Sequence, residues 1–420
     1  MEKAHFITTL ILIAILNFNC DPLGTKCTDP PCVPLDKKSK GIDTNIIWQY
    51  NPDTLTNACG SMEPILYNNT IVFSKRFEGV DEILLFDKMT GKLINSYSDP
   101  SNPDWISGAR YQYKNICVIT DWYNIYFLDL ENNTFLNKIN LRDYYYDGQP
   151  RIGGFGEYVY IPVEKIGEPN QSYSNTWIRI NINTYEISEV MTIRDKGSFT
   201  AGFESLAFWI RPDGDTLMIF QNRQYDFPNR NRRIDLYAYN MSDRRMAWKV
   251  DSFTITGNTS IHPIIIKGDK LFFQGSNEAF CFNCNDGSLV WNRYFPGESF
   301  FITNAILEKG LYVLKSETKL MIALDEATGT TVWENPTAGT SSSNMIFYKD
   351  HLYYETGQHG LGVLRRLKIS DGQEDWTYFS SNYAQHLNVS FGPSGIIIDP
   401  VTNYIYANDR VYHMCIRIPQ

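Results

Sequence analysis

The chain has 420 residues, 43% of them hydrophobic, enough to bury a sizeable core in one large domain. Its net charge of −9 argues against nucleic acid as a partner. It carries no nucleophile elbow, no His-Glu-x-x-His, no phosphate loop and no dinucleotide fingerprint, and its six His have no metal-ligand spacing, so neither a catalytic residue nor a metal site is predicted.

Residues 1–19 read as a signal peptide. Met1–His5 is a short n-region, and Phe6–Leu16 is an apolar stretch too short to span a bilayer as a helix. Cys20 follows closely, which predicts lipidation there. An ordinary cleaved signal is the plainer alternative, because Asn17-Phe18-Asn19 replaces the usual small and aliphatic residues. Residues 20–43 read as a tether from that anchor, with Pro22, Pro30, Pro31 and Pro34 followed by Lys37, Lys38 and Lys40. Cys27 and Cys32 can form a small disulfide within it.

From residue 44 the chain repeats. A short apolar strand runs into a polar turn seven times, at Asp87, Asp129, Asn181, Asn240, Asn283, Asp325 and Lys368, spaced 42 to 59 residues apart. A fixed period of this length marks a repeat architecture. Each unit reads as four short strands, as in Thr303–Leu307, Leu311–Lys315, Leu320–Leu324 and Thr331–Glu334, which suits a propeller. The two long intervals hold polar insertions, Glu164–Thr176 and Gln221–Arg232, expected as lengthened loops. Asp213-Gly214-Asp215 lacks the later Glu of a calcium loop and reads as a β-turn.

The turn has a physical logic. Asp or Asn at its start can accept bonds from backbone N–H groups two or three residues on. Gly91, Gly287, Gly329 and Gly372 sit where a left-handed residue closes the hairpin. Eight residues past the turn start stand Trp248, Trp291, Trp333 and Trp376, each able to cover a neighbouring blade. Units one to three depart, with Asn95, Asn137 and Glu189 in that place.

The chain ends inside an eighth unit, after its third strand. At the other end Asn45–Tyr50 is a lone strand whose Trp48 matches the missing position. The expected fold is therefore all-β: an eight-bladed propeller over residues 44–420, its ring closed by residues 44–51 against Arg410–Ile418. Closure removes open sheet edges.

Ala323-Leu324-Asp325-Glu326-Ala327-Thr328-Gly329-Thr330-Thr331-Val332-Trp333 matches every fixed position of the quinoprotein-type repeat, Ala-x-Asp-x-x-Thr-Gly-x-x-x-Trp. The chain resembles two kinds of eight-bladed protein with this repeat. One is the propeller lipoprotein of the bacterial outer-membrane barrel-assembly machinery, similar in length and non-enzymatic. The other is the alcohol dehydrogenases that hold pyrroloquinoline quinone and calcium at the ring centre. Those enzymes carry adjacent cysteines stacked on the quinone, and this chain has no Cys-Cys pair. The resemblance thus implies an outer-membrane lipoprotein, periplasmic or surface-facing, that binds envelope proteins of the barrel-assembly kind and holds no cofactor. A quinone-dependent dehydrogenase and a glycan-binding surface lipoprotein are the alternatives.

Candidate binding residues cluster in loops expected to share one face, those between blades and those joining second to third strands. They are Trp105, Trp122, Tyr123, Tyr144 and Tyr145, with Arg230 and Arg232. Tyr and Trp give contact area with a polar handle, and Arg adds an acidic-partner site. Packing between blades, or a solvated hairpin tip for the arginines, would account for them equally simply. Cys281 and Cys284 are spaced like half a metal site with no second pair, and read as buried thiols or a local disulfide.

Overall fold

The fold is described from a computed structural model. It describes residues 45–51, 62–77, 80–99, 110–121, 124–141, 152–165, 174–194, 199–226, 231–254, 263–300, 303–339, 343–358, 361–379, 395–409 and 412–419. Thr44–Gln420 forms one compact unit. The expected signal peptide 1–19, the lipidation site Cys20 and the tether 20–43 with Cys27 and Cys32 lie outside the described residues.

Eight four-stranded antiparallel sheets make up the ring. β1 is Ile46–Tyr50. Blade 1 is β2 (Ile65–Tyr67), β3 (Thr70–Phe77), β4 (Val80–Asp87) and β5 (Leu93–Ser98). Blade 2 is β6 (Arg110–Tyr113), β7 (Ile116–Thr120), β8 (Asn124–Asp129) and β9 (Thr134–Asn140). Blade 3 is β10 (Gly153–Phe155), β11 (Tyr158–Lys165), β12 (Ser174–Asn181) and β13 (Ile187–Arg194). Blade 4 is β14 (Phe199–Ile210), β15 (Thr216–Asp226), β16 (Asn231–Asn240) and β17 (Arg245–Val250). Blade 5 is β18 (Ile265–Lys267), β19 (Lys270–Gln274), β20 (Glu278–Asn283) and β21 (Leu289–Tyr294). Blade 6 is β22 (Ile306–Glu308), β23 (Leu311–Lys315), β24 (Met321–Asp325) and β25 (Thr331–Asn335). Blade 7 is β26 (Ile346–Tyr348), β27 (His351–Gln358), β28 (Leu361–Lys368) and β29 (Glu374–Phe379). Blade 8 is β30 (Ile397–Asp399), β31 (Tyr404–Asn408), β32 (His413–Arg417) and, from the far end of the chain, β1. Neighbouring first strands lie side by side at the ring centre, as β6, β10, β14 and β18 do.

Closure is as expected. β1 pairs antiparallel with β32, Trp48 opposite Cys415. Trp48 is buried, packs within about 6.5 Å of Phe86, Tyr406 and Phe73, and its Nε1–H donates to Lys88 O at 2.8 Å. A Cβ on Gly91 would lie 2.5 Å from the Trp48 ring, so the turn glycine is needed both for its φ of +67° and for this close approach. The same joint recurs between blades 4 and 5 (Trp248 to Cys284 O, 2.8 Å), 5 and 6 (Trp291 to Glu326 O, 3.1 Å) and 6 and 7 (Trp333 to Ile369 O, 2.8 Å). Trp376 packs into the blade 7–8 core.

The turn logic holds in detail. Asp325 Oδ1 accepts from Ala327 N and Thr328 N, and Asp87 Oδ1 from Met89 N and Thr90 N. Where the fifth turn residue is not Gly, it still takes a positive φ: Asn133 51°, Tyr185 62°, Arg244 54°.

Two expectations need correction. The insertions at Glu164–Thr176 and Gln221–Arg232 were expected as loops. Instead β11 runs on to Lys165 and β12 starts at Ser174, while β15 runs to Asp226 and β16 starts at Asn231. Polar composition did not prevent a ladder, because antiparallel pairing uses the backbone. The first strand of blade 6 begins at Ile306, not Thr303, because Thr303 instead turns its hydroxyl to Lys315 O.

Candidate functional site

The ring has two unlike faces. One carries the turns joining first to second and third to fourth strands. That face is tied from blade to blade. Lys88 pairs with Asp399 at 2.9 Å, Lys309 with Asp350 at 2.8 Å and Lys267 with Glu326 at 2.5 Å. Tyr348 donates its hydroxyl proton to Asn403 Oδ1, Asn95 Nδ2 donates to Asn133 O, Tyr111 to Gly156 O, and Trp209 Nε1 to Gly268 O. Asn95, standing where later blades carry Trp, thus also bonds a carbonyl in the next blade's turn, and Tyr97 reaches the same oxygen.

The opposite face carries the connections between blades and between second and third strands. Of the candidate binding residues, Trp105, Trp122, Tyr123, Tyr144, Tyr145 and Arg230 lie outside the described residues. Arg232 lies in β16, opposite Tyr225 of β15. The described residues flanking Trp122 and Tyr123 are firmly built. Asp121 N donates to Asn124 O at 3.0 Å, Asn124 N donates to Asp121 Oδ1 at 2.6 Å, and Tyr126 donates its hydroxyl proton to Asp121 Oδ2 at 2.7 Å. Asp99, which precedes the connection carrying Trp105, has its Oδ2 3.2 Å from the Tyr126 hydroxyl oxygen and pairs with Lys138. One bonded cluster therefore fixes the bases of two of these connections.

Beneath this face runs a belt of buried polar side chains that the sequence reading missed. Counting from the residue opposite each turn start, the fifth position of the second strand is Ser74, Thr120, Gln221, Gln274, Lys315, Glu355 and Asn408, with Pro162 in blade 3. All seven polar residues are buried. The signal was present: apolar strands that end in one polar residue, as in Phe272-Phe273-Gln274 and Val313-Leu314-Lys315. The side chains of Ser74 and Gln274 and the backbone of Glu355 bond the connections on this face. Met62 N donates to Ser74 Oγ at 3.0 Å, Gln274 Nε2 to Phe300 O at 2.8 Å, and Ser343 Oγ donates to Glu355 O at 2.7 Å while accepting from Glu355 N. In blades 1, 5 and 7 this level of the second strand therefore holds the incoming inter-blade connection.

Burial dominates the titration at this level. Lys315, its Nζ 5.6 Å from the Tyr354 ring centre, is pushed down to about 7 by desolvation, with Arg365 adding to the effect. Glu355 is raised well above its ordinary value by burial, with the Glu63 and Asp409 carboxylates adding to it. His413, stacked on Phe73 at 4.4 Å, is lowered to about 3 by burial, then by Lys75. Lys315, and His413 opposite the belt residue Asn408, are 0% exposed and out of reach of a ligand in solvent. Cys281 and Cys284 are free, buried thiols pushed up to about 12 by desolvation, which resolves the choice left open for them. No group of three or more His, Cys, Asp or Glu able to hold a metal occurs among the described residues.

Comparison with known proteins agrees with this architecture. A family model described as the outer membrane protein assembly factor BamB matches residues 232–410. That stretch holds Trp248, Trp291, Trp333 and Trp376, and leaves out the blades with Asn95, Asn137 and Glu189 in the Trp place. No curated protein sequence matches the chain. Among solved structures, BamB from Moraxella catarrhalis is 12% identical with a TM-score of 0.57, covering 89% of this chain and 99% of that one. A europium-containing methanol dehydrogenase is 12% identical with a TM-score of 0.62, covering 86% and 84%. Sqt1 from Saccharomyces cerevisiae is 11% identical with a TM-score of 0.60, covering 90% and 100%. At such identities these likenesses show the fold. The chain is an eight-bladed propeller with quinoprotein-type repeats similar to those of BamB.

Proposed function

We propose that this chain is a non-enzymatic lipoprotein of the cell envelope that holds other envelope proteins against its connection face, with Cys20 as the lipidated anchor and residues 1–19 as the export signal. The observation that carries the reading is the contrast between the faces. The turn face spends its polar groups on its own neighbouring blades. The connection face instead has a level of buried polar residues beneath it, and by chain order Trp105, Trp122, Tyr123, Tyr144, Tyr145 and Arg230 fall in its connections. Such residues supply much of the binding energy of protein interfaces.

The BamB match supports assembly of outer-membrane proteins as the task, and recovery of assembly components is the expected result. The test is a crosslinking pull-down from membranes with the full chain and with Trp122→Ala plus Tyr145→Ala. Partner recovery should fall in the double variant while far-UV circular dichroism stays the same. A quinone bound at the ring centre that supports turnover would overturn the non-enzymatic reading.

A further inference from the structure

Blade 4 is built unlike its neighbours. β15 and β16 have eleven and ten residues, where β19 and β20 of the next blade have five and six. The surplus lies past Leu236, whose partner Val250 is the last residue of the rim strand β17. From Asn231 to Asp235, β16 keeps its pairing with β15, through Asp226↔Asn231, Tyr225↔Arg232 and Gln224↔Arg233. On the inner side β14 continues in step, from Phe199↔Asp226 to Phe203↔Asn222. A three-stranded strip about five residues long, roughly 17 Å, therefore extends beyond the rim strand on the connection face.

Among the described residues, its outer edge carries no partner strand past Ile234. Phe253 N donates to Ile234 O at 3.2 Å, so the backbone groups of Ile234 point toward the rim. Along a strand in an antiparallel ladder this direction recurs at every second residue. The N–H and C=O of Arg232 thus point the same way, and among the described residues they meet no backbone partner. Such an edge is a template for another strand.

The sequence states which strand it suits. Residues 223–233 contain Arg223, Arg230, Arg232 and Arg233 against Asp226 alone, in a chain whose net charge is −9. Two copies of this edge repel each other, while an acidic segment is attracted to it. We propose that the β16 edge at Arg232 captures an extended acidic segment of a partner protein, which adds to blade 4 as a further strand. This rests on the connection face being the binding face, and it names the chemistry of what binds there. Main-chain hydrogen bonds supply affinity, and the net positive charge of residues 223–233 selects for carboxylates.

The test uses the full chain and two fluorescein-labelled ten-residue peptides, one alternating Glu with Thr and one alternating Lys with Thr, read by polarisation. The Glu peptide should bind saturably and the Lys peptide should not. On binding, amide exchange over residues 231–233 should slow. Arg232→Pro removes the outward N–H and obstructs the edge, and should weaken the Glu peptide at least about tenfold with circular dichroism unchanged. Arg232→Glu combined with Arg233→Glu tests the charge without touching the backbone, and should shift preference toward the Lys peptide. Equal binding of the two peptides, or unslowed exchange at 231–233, overturns the proposal. Should Arg232→Pro recover membrane partners as well as the unaltered chain, edge capture is wrong while the face assignment stands.

Discussion

The joint between Trp48 and Gly91 can be measured as an energy, and it is the joint that closes the ring. Trp48→Ala removes a buried indole packed on Phe86, Tyr406 and Phe73, together with its bond to Lys88 O. Truncations of this kind cost about 3–5 kcal/mol. Lys88 O keeps the Tyr406 hydroxyl at 3.2 Å, so the carbonyl is not orphaned and the lower part of that range applies. Gly91→Ala carries two separate penalties. One is the positive φ of 67°, worth about 1–2 kcal/mol for a residue with a Cβ. The other is the overlap of that Cβ with the Trp48 ring at 2.5 Å, worth about 1–3 kcal/mol. Only the first survives once Trp48 is Ala. Gly268→Ala is the internal control, since its φ is +62° and a Cβ there meets nothing within 4 Å. Urea unfolding followed by circular dichroism on the two single variants, the double variant and the control should therefore show Gly91→Ala costing about as much as Gly268→Ala in the Trp48→Ala background and clearly more in the unaltered chain. If the two Gly91→Ala costs agree within about 0.5 kcal/mol, Trp48 does not rest on Gly91 and the closure described above is refuted.

Other expectations follow from the same features. The buried Lys315 loses its proton at about pH 7 when folded and near its ordinary value of 10.5 when unfolded. The unfolded chain therefore binds more protons between those limits, and stability rises with pH across them; Lys315→Met should flatten that rise by roughly 3–5 kcal/mol. A variant curve parallel to the unaltered one, from urea midpoints between pH 7 and 10, would count against a neutral buried lysine. Glu355 acts in the opposite sense. Its raised carboxyl keeps a proton that the unfolded chain loses above about 4.5, so stability falls as pH rises through that window, and Glu355→Gln should remove the fall in the same assay. Cys20→Ala should move the protein from the membrane to the soluble envelope fraction, and unchanged partition with no lipid by mass spectrometry would defeat the anchor assignment.

The ring could be read from the sequence because its joints repeat. Asp325, Gly329 and Trp333 recur at a fixed spacing, and the unit that lacks a last strand is matched by a lone strand bearing Trp48. The early blades were harder. A carbonyl in the next turn needs only a donor at the right height, which Asn95 and Tyr97 supply without the shape of a Trp. The polar stretch around Arg232 was misread as loop because polarity reports exposure, whereas a ladder is held by backbone pairs such as Tyr225↔Arg232. The belt was invisible for a different reason: Gln274 and Lys315 look like ordinary polar strand ends until register places them at one level under the connections. The candidate aromatics Trp105, Trp122, Tyr123, Tyr144 and Tyr145 were located by composition and chain order alone.

The central claim is that partners meet the connection face and not the turn face. Site-specific photo-crosslinkers separate the two most directly, placed one at a time at Trp122 and Lys319 on the connection side and at Asn132 and Lys309 on the turn side, in otherwise unaltered protein in its own membranes. The account predicts protein adducts from Trp122 and Lys319, including components of outer-membrane protein assembly, and few from Asn132 and Lys309. Adducts confined to the turn-side positions would contradict it.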